Sequence, residues 1–455
     1  MHERKNRVHE RKTRGTTGAS LALRHLTSAL RYTSPWRRAS GRVAGEDRGA
    51  DRRCEVQPSA PDRSAVRQLG YIAAVQVLVM ATWFSASAVV PALRAEWGLG
   101  TAGATLLTVS VQLGFVTGAL SAAVLNLADR VPAHRLVAVC ALAAAVATAA
   151  VGSLAHGLRA AVPLRFLTGV ALAGVYPTGL KLMTSWFDRG RGLALGVLVG
   201  ALTLGSALPQ LISSFTALPW RAVLLVASAA ALVGAAVAGR LVRPGPLGAP
   251  APPFQPRYIL ALFRERGPRL ANLGYFGHMW ELYAMWTWLP AYLAASMATR
   301  GTPLPVGVAA FVAIGVAGVA GCLLGGWLGD RVGRARLAAL AMAVSGTCCI
   351  AAAFAFGGPP VLVLPLVFVW GAAVIADSGL FSACTSQVVD PRYTGTALTT
   401  QTAIGFLLTI VTIQATPLIA EHAGWPVAVA LLALGPAAGA VAMLRLDRHM
   451  AAVRA

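Results

Sequence analysis

The residues most able to do chemistry are His278 and Glu281, in the stretch NLGYFGHMWELYAMWTWLPAYL at positions 272–293. The stretch is apolar enough to cross a bilayer, and an ionisable group near its centre costs about 2.5–3.5 kcal/mol on insertion scales. Chains that keep such groups use them. An imidazole and a carboxylate three residues apart share a helical face, where they can exchange a proton or hold a charged solute. Tyr275, Met285 and Trp288 continue that stripe. Three further ionisable side chains, Arg165, Lys181 and Asp377, lie inside apolar blocks, and Tyr176 falls near the helical face of Arg165. Pro177 beside it should bend its helix and free a carbonyl. Trp280, Trp286 and Trp288 are read as packing or interface anchors. No HExxH, GxSxG or GKS/GKT phosphate loop occurs. The six cysteines lack metal-ligand spacing. No enzyme, no metal site and no cofactor is expected.

The elements that must hold these residues follow from composition. The 455 residues are 56% hydrophobic and only 12% charged, about half the charge of a soluble protein. The apolar residues fall in blocks of about twenty, the length a helix needs to span hydrocarbon. A helix is required there because lipid satisfies no backbone hydrogen bond. Twelve spans are expected, near 71–94, 103–128, 134–155, 160–186, 191–215, 220–241, 270–294, 304–329, 335–356, 361–387, 394–419 and 424–445. The net charge of +22 does not mark nucleic-acid binding, because residues 1–69 and the loops on one side carry most of it. Beyond the tail, the other side holds only four basic residues, Arg94, Arg159, Arg221 and Arg300. By the positive-inside rule both termini are cytoplasmic, in a multi-pass protein of the inner (plasma) membrane.

Residues 1–69 are rich in Arg, Gly, Ser and Pro and are expected to form a disordered basic tail, either drawn to anionic lipid or the product of a start called too far upstream. Residues 243–269 are proline-rich and then basic and amphipathic, as a linker on the cytoplasmic surface would be. On either side of it the sequence repeats. LADRVPAHR at 127–135 returns as LGDRVGRAR at 328–336, PLRFLTG at 163–169 as PLVFVWG at 365–371, and DRGRGLALG at 188–196 as DPRYTGTAL at 390–398. The offsets are 201 or 202 residues. An all-α protein is expected, with two six-helix bundles, 70–242 and 270–455, related by a pseudo-two-fold axis along the membrane normal.

With the loop GGWLGDRVGRAR at 325–336, the chain resembles the major facilitator superfamily, whose signature reads G-x-x-x-D-R-x-G-R. Gly326, Asp330, Arg331, Gly333 and Arg334 match it, and the resemblance implies a latch on the cytoplasmic face. The first-half copy keeps Asp129 and Arg130, but Leu125, Pro132 and Ala133 replace the glycines and the last arginine. RFLTGVALAG at 165–174 resembles the family's R-x-x-x-G motif, which implies that Arg165 faces a central cavity and bears on proton coupling. The antiporter motif G-P-x-x-G-G is absent from span five. In the resembling fold, spans one, four, seven and ten line the cavity. Arg165, Tyr176 and Lys181 sit on span four, His278 and Glu281 on seven, Asp377 on ten.

The resemblance implies a secondary transporter working by alternating access on a small-molecule substrate. Three embedded basic or titratable groups against two acids favour an organic anion, with protons as the coupling ion. The alternatives are a drug or metabolite antiporter and a non-transporting membrane sensor. Structural readings stand beside each site. Arg165 could tie helices together, Glu281 could only fix packing, and Lys181 could snorkel to the surface. The expected partners are the lipid bilayer, the substrate and protons, with no nucleic acid, and the protein is expected to be monomeric.

Overall fold

The computed structural model describes residues 63–187, 190–215, 218–248 and 254–454. Up to residue 62, the tail expected to be disordered lies outside the described residues. Grouping by contact separates residues up to Arg67 from a body of Gln68–Ala455.

Among the described residues the secondary structure is helical, with no strand. The twelve long helices are α1 (Arg63–Met80), α2 (Thr101–Val124), α3 (Ala133–Leu154), α4 (Leu158–Trp186), α5 (Arg191–Ser213), α6 (Trp220–Arg240), α7 (Arg266–Ala298), α8 (Val306–Val332), α9 (Arg334–Ala355), α10 (Pro360–Val388), α11 (Pro391–Ala423) and α12 (Trp425–Val453). Ten of these are long and apolar enough to cross a membrane, and α1 and α7 are not among the ten. Each falls short for a physical reason. Helix α1 stops at Met80, where span one was expected to run on to 94. Helix α7 carries Arg266, Arg269, Asn272, His278 and Glu281. Large side chains such as Phe354, 88% exposed, stand on the outer surface, as a lipid-facing wall requires.

The packing repeats as the sequence does. Helix α2 packs on α4, α3 on α4 and α3 on α6. Six helices later, α8 packs on α10, α9 on α10 and α9 on α12. Helix α1 meets α5 at Gly205 and α6 at Gly234, and α7 meets α11 and α12. The two largest contacts between the halves, α2 with α11 and α5 with α8, exchange under the same shift. This is a pseudo-two-fold relation between two six-helix units. Small residues set the close approaches. A Cβ on Gly118 of α2 would lie 2.6 Å from the Val170 carbonyl of α4, so only glycine lets these backbones meet.

Several helices are interrupted, α12 among them at Ala433, and three of the breaks bear on the site. The chain leaves the helix after Met80 and resumes in a short helix at Val90–Trp97. In the gap Thr82 Oγ1 donates to the Val79 carbonyl at 2.9 Å, and Ser85 Oγ to the Thr82 carbonyl at 2.9 Å. These side chains compete for carbonyls the helix would use. Helix α4 breaks between Leu172 and Tyr176, ahead of Pro177. Helix α10 breaks at Asp377, between Ala376 and Ser378. Val175 and Asp377 are repeat partners, so the two breaks correspond.

The loop ends bearing Arg130, Arg191 and Arg331 define a basic face. There Arg334 Nη2 pairs with Asp330 Oδ1 at 3.0 Å, and Arg336 Nη2 with Asp447 Oδ2 at 3.1 Å. Arg331 lies over the Trp327 ring, 3.7 Å from its centroid. Gly333 turns the chain at φ +102°, a value that favours glycine. Gly326 of α8 faces the Gly192 carbonyl of α5, and Asp330 faces the first turn of α5, where a negative charge is favoured. Asp129 and Arg130 end a short helix, Leu127–Arg130; the Asp129 side chain lies outside the described residues. At the opposite face Arg221 Nη2 pairs with Glu96 Oε1 at 3.3 Å, and the Trp220 indole donates to the same carboxylate. Those contacts hold the Glu96 carboxyl below the usual range, the indole hydrogen bond contributing most.

Candidate functional site

A cavity of about 1370 Å³ opens between the two halves. At the basic face it is lined by Asn126, Arg191, Asp330, Arg334 and Gln387. It runs inward past both broken helices, along Tyr176, Pro177 and Lys181 of α4 and Ala376, Ser378 and Gly379 of α10. Its inner end is walled by Tyr283, Trp286 and Phe406.

Those three rings belong to a larger aromatic plug. Trp83 and Phe84 come from the gap after α1, Phe115 from α2, Tyr283 and Trp286 from α7, and Phe406 from α11. Ring centroids lie 4.4 Å apart for Phe115–Phe406, 5.6 Å for Trp83–Phe406 and 5.8 Å for Trp83–Tyr283. Phe84 meets Tyr283 and Trp286, each at 5.9 Å. Every one of these pairs joins the first half to the second. Nearer the opposite face Arg94 Nη2 donates to Thr101 Oγ1 at 3.1 Å, and Thr101 donates to the Glu421 carboxylate of α11. The cavity is thus open toward the basic face and closed at the other.

The sequence-derived candidates separate. Tyr176, Lys181 and His278 line the cavity; Arg165, Glu281 and Asp377 do not. Asp377 stands directly behind the wall. Its Oδ1 lies 2.9 Å from His278 Nδ1, an ion-pair contact off the line of a good hydrogen bond, and both side chains are 2% exposed. His278 Nε2 lies 2.9 Å from Ser378 Oγ, so the imidazole bridges a buried carboxylate and a hydroxyl at the cavity wall. The break in α10 makes this possible, because it places Asp377 and Ser378 on either side of one histidine.

Glu281 points elsewhere. Its Oε1 accepts from Trp370 Nε1 of α10 at 2.5 Å, and from Ser345 Oγ at 2.7 Å and Cys349 Sγ at 3.0 Å, both on α9. It was expected to share a cavity face with His278. Three residues turn a helix by 300°, which leaves a 60° offset. That offset matters because α7 is packed between α10, α11 and α12, so one side chain reaches the cavity wall and the other the bundle interior. Met285 and Trp288 follow Glu281 rather than His278, and Trp288 Nε1 donates to the Ile413 carbonyl at 2.8 Å.

Arg165 is wholly buried and splints the gap after α1. Its Nη1 donates to the Thr82 carbonyl at 2.8 Å and to Ser85 Oγ at 3.3 Å, and its Nη2 to the Trp83 carbonyl. It therefore holds the backbone that carries two rings of the plug.

Sequence reasoning passed over Tyr283, Phe406 and Ser378, and read Trp286 as a packing or interface anchor. Tyr283 and Trp286 follow Tyr275 and His278 by eight residues on α7, an offset of about 80°, so spacing alone did not place them on the cavity side. Phe406 on α11 had little, because Thr402 and Thr409 on its face are uncharged and no motif marks its turn.

A polytopic helical protein with two pseudo-symmetric halves, a cavity between them and a closure on one side has the architecture of a membrane transporter. The family model for the Major Facilitator Superfamily matches residues 72–413, and the chain belongs to that family. It is 29% identical over 289 residues to a "Probable sulfoacetate transporter SauU" of Cupriavidus necator, across 55% of this chain and 63% of that protein. It is 25% identical over 301 residues to a "Gallate transporter" of Pseudomonas putida, across 58% of this chain and 65% of that protein. The chain thus matches a little under two thirds of the length of either relative. Its fold is similar to the crystal structure of the nucleoside transporter NupG, with a TM-score of 0.64 at 14% identity, covering 84% of this chain and 99% of that one.

Proposed function

We propose that this transporter moves a small organic anion by alternating access, coupled to protons. The observation that carries the anion reading is the charge of the cavity wall. Among the described residues it holds Lys181, Arg191 and Arg334 against Asp330, with His278 deeper in. Such a wall attracts anions from the basic face and lowers the cost of bringing one to membrane depth. The relatives named for sulfoacetate and gallate support the same class. The one-sided plug and the Thr101–Glu421 contact fit a state open at one face, and the exchange of contacts between α2–α11 and α5–α8 supplies the mirrored partner state. The His278–Asp377 pair supports proton coupling, because a histidine and a carboxylate in contact behind the cavity wall can pass a proton when solute or water reaches them. Glu281 is a packing tie in this reading.

The basic face is cytoplasmic by its arginines, which puts both termini inside the cell in an inner-membrane protein. Residues 70–242 and 270–455 are the two moving units, 243–269 links them, and one chain suffices for transport. The test is uptake of organic anions, organic cations and sugars by proteoliposomes, with and without an imposed pH gradient. The proposal expects anion uptake that rises with inward proton flow. Uptake confined to cations or sugars contradicts the substrate class, and uptake indifferent to the gradient contradicts coupling.

A further inference from the structure

Resting on the organic-anion reading, we infer that the inner end of the cavity is built for an aromatic carboxylate, with the ring of the substrate against Tyr283, Trp286 and Phe406 and its carboxylate toward Lys181, His278 and Ser378. Three observations carry this.

The first is the wall itself. Tyr176, Tyr275, Tyr283, Trp286 and Phe406 all line the cavity. They come from α4, α7 and α11, so rings of both halves face one space. Tyr283 meets Trp286 at 55° and Phe406 at 53°. The three rings form an angled pocket, and the tilted and edge-on approaches it allows are favoured between aromatic rings. Tyr283, Trp286 and Phe406 are 5%, 2% and 3% exposed, so a substrate ring meets their edges at the end of the cavity and more of their faces as the plug parts, from which a short aliphatic acid gains little.

The second is an unpaired donor. The indole Nε1 of Trp286 is buried, with no hydrogen-bond partner among the described residues, and the residue is 2% exposed. Leaving a buried N–H unpaired costs about 1–3 kcal/mol. The nitrogen is sealed from the cavity while the plug is closed, as is the equally unpaired Nε1 of Trp83, so an acceptor brought by the substrate removes that cost as the plug parts. The other tryptophans of α7 have partners: Trp280 Nε1 donates to the Leu431 carbonyl at 3.3 Å and Trp288 Nε1 to the Ile413 carbonyl at 2.8 Å.

The third is the separation of the two ends. His278 and Trp286 are eight residues apart on α7, which sets them about 12 Å apart along the helix axis at 1.5 Å per residue. A carboxylate held near His278 and Ser378 leaves room for a ring in the direction of Trp286. A hydroxyl para to the carboxylate would offer its oxygen to the Trp286 N–H. The preferred substrate is therefore a hydroxylated benzoate in place of a two- or three-carbon acid.

The test is counterflow in proteoliposomes, with 4-hydroxybenzoate, benzoate, cyclohexanecarboxylate and malonate as competing external solutes and protein-free liposomes as the control for passive leak. The half-maximal concentration should be lowest for 4-hydroxybenzoate and about tenfold higher for cyclohexanecarboxylate, which matches the size without the ring. Trp286→Phe keeps a ring and removes the N–H. It should narrow the preference for 4-hydroxybenzoate over benzoate about tenfold, the worth of one buried hydrogen bond. Phe406→Leu should erode the preference of benzoate over cyclohexanecarboxylate. Malonate or cyclohexanecarboxylate competing as well as the benzoates overturns the aromatic inference while the organic-anion reading stands. Equal losses for benzoate and 4-hydroxybenzoate in Trp286→Phe overturn the N–H contact. Failure of all four acids, with exchange of a neutral or cationic solute, overturns the anion reading and this inference with it.

Discussion

The two breaks, in α4 and in α10, occupy the same place in the two halves and do different things. Around them the scaffold is repeated: α2 rests on α4 as α8 rests on α10, and both second segments begin at the cavity wall. The chemistry is not repeated. At the break α4 has Val175 where α10 has Asp377, and nearer its start α4 has Arg165 where α10 has Val367. The arginine serves the first half's own architecture by holding the gap after α1. The aspartate reaches His278, the histidine of the cavity wall. Repetition supplies two similar scaffolds, and the proposed coupling chemistry lies where the copies depart.

The sharpest way to break this comparison is to erase the departure. Val175 is fully buried. Val175→Asp would place in the first half the side chain that the second half carries, with no histidine described as meeting it. An unpaired buried charge costs several kcal/mol, so the variant is expected to be lost from the membrane fraction on expression. Stable, folded Val175→Asp protein would mean that the breaks are equivalent environments.

Next in size is Arg165 against its counterpart. Arg165→Met removes the donor to the Trp83 carbonyl and one of the two donors to the Thr82 carbonyl, and should lower stability by about 3–6 kcal/mol, at about 1.5–3 kcal/mol for each charge-assisted hydrogen bond. Val367→Ala, at the same place in the second half, should lower it by about 1–3 kcal/mol through lost packing. Thermal unfolding in detergent ranks the two, and equal shifts would remove the splint assigned to Arg165.

Glu281 sharpens the contrast within one helix. Glu281→Gln keeps an oxygen for Ser345, Cys349 and Trp370, so the stability change should stay within about 1 kcal/mol, the net worth of one hydrogen bond. Substrate KM should be unchanged. A KM shift in Glu281→Gln would return this carboxylate to the cavity side of the account.

The smallest effect lies outside the membrane. Contacts with Trp220 and Arg221 hold the Glu96 carboxyl below its ordinary value of 4.5. A depressed carboxylate stabilises the fold above that ordinary value, and the contribution fades as pH falls through the lowered one. Wild type should therefore melt slightly above Glu96→Gln near neutral pH, with the gap closing on acidification below about 4.5. A gap that widens with acid would reverse the sign assigned to this group.

Much of the scaffold was legible in the sequence because hydrophobic length and repeat offset are one-dimensional signals. Blocks of about twenty apolar residues mark helices whatever packs around them, and DRVPAHR against DRVGRAR marks the two-fold. The extent of α1 was not legible. Its break depends on Arg165, eighty residues away, taking carbonyls that an unbroken helix would use. The His278–Asp377 pair was half legible. Both residues stood out as ionisable groups in apolar blocks, but the pairing of His278 with Glu281 was suggested by spacing, and tertiary packing chose Asp377 instead. The plug was illegible, because aromatic residues in the gap after α1 and on α2, α7 and α11 look like ordinary membrane side chains until the helices are assembled.

The central claim is that Asp377, the acid standing where the repeat has a valine, couples protons to solute movement. The direct measurement compares accumulation with exchange in proteoliposomes bearing wild type or Asp377→Asn. The account expects Asp377→Asn to exchange labelled anion across the membrane within a few-fold of wild type, while losing accumulation driven by an imposed pH gradient. Gradient-driven accumulation at the wild-type level in Asp377→Asn would contradict it.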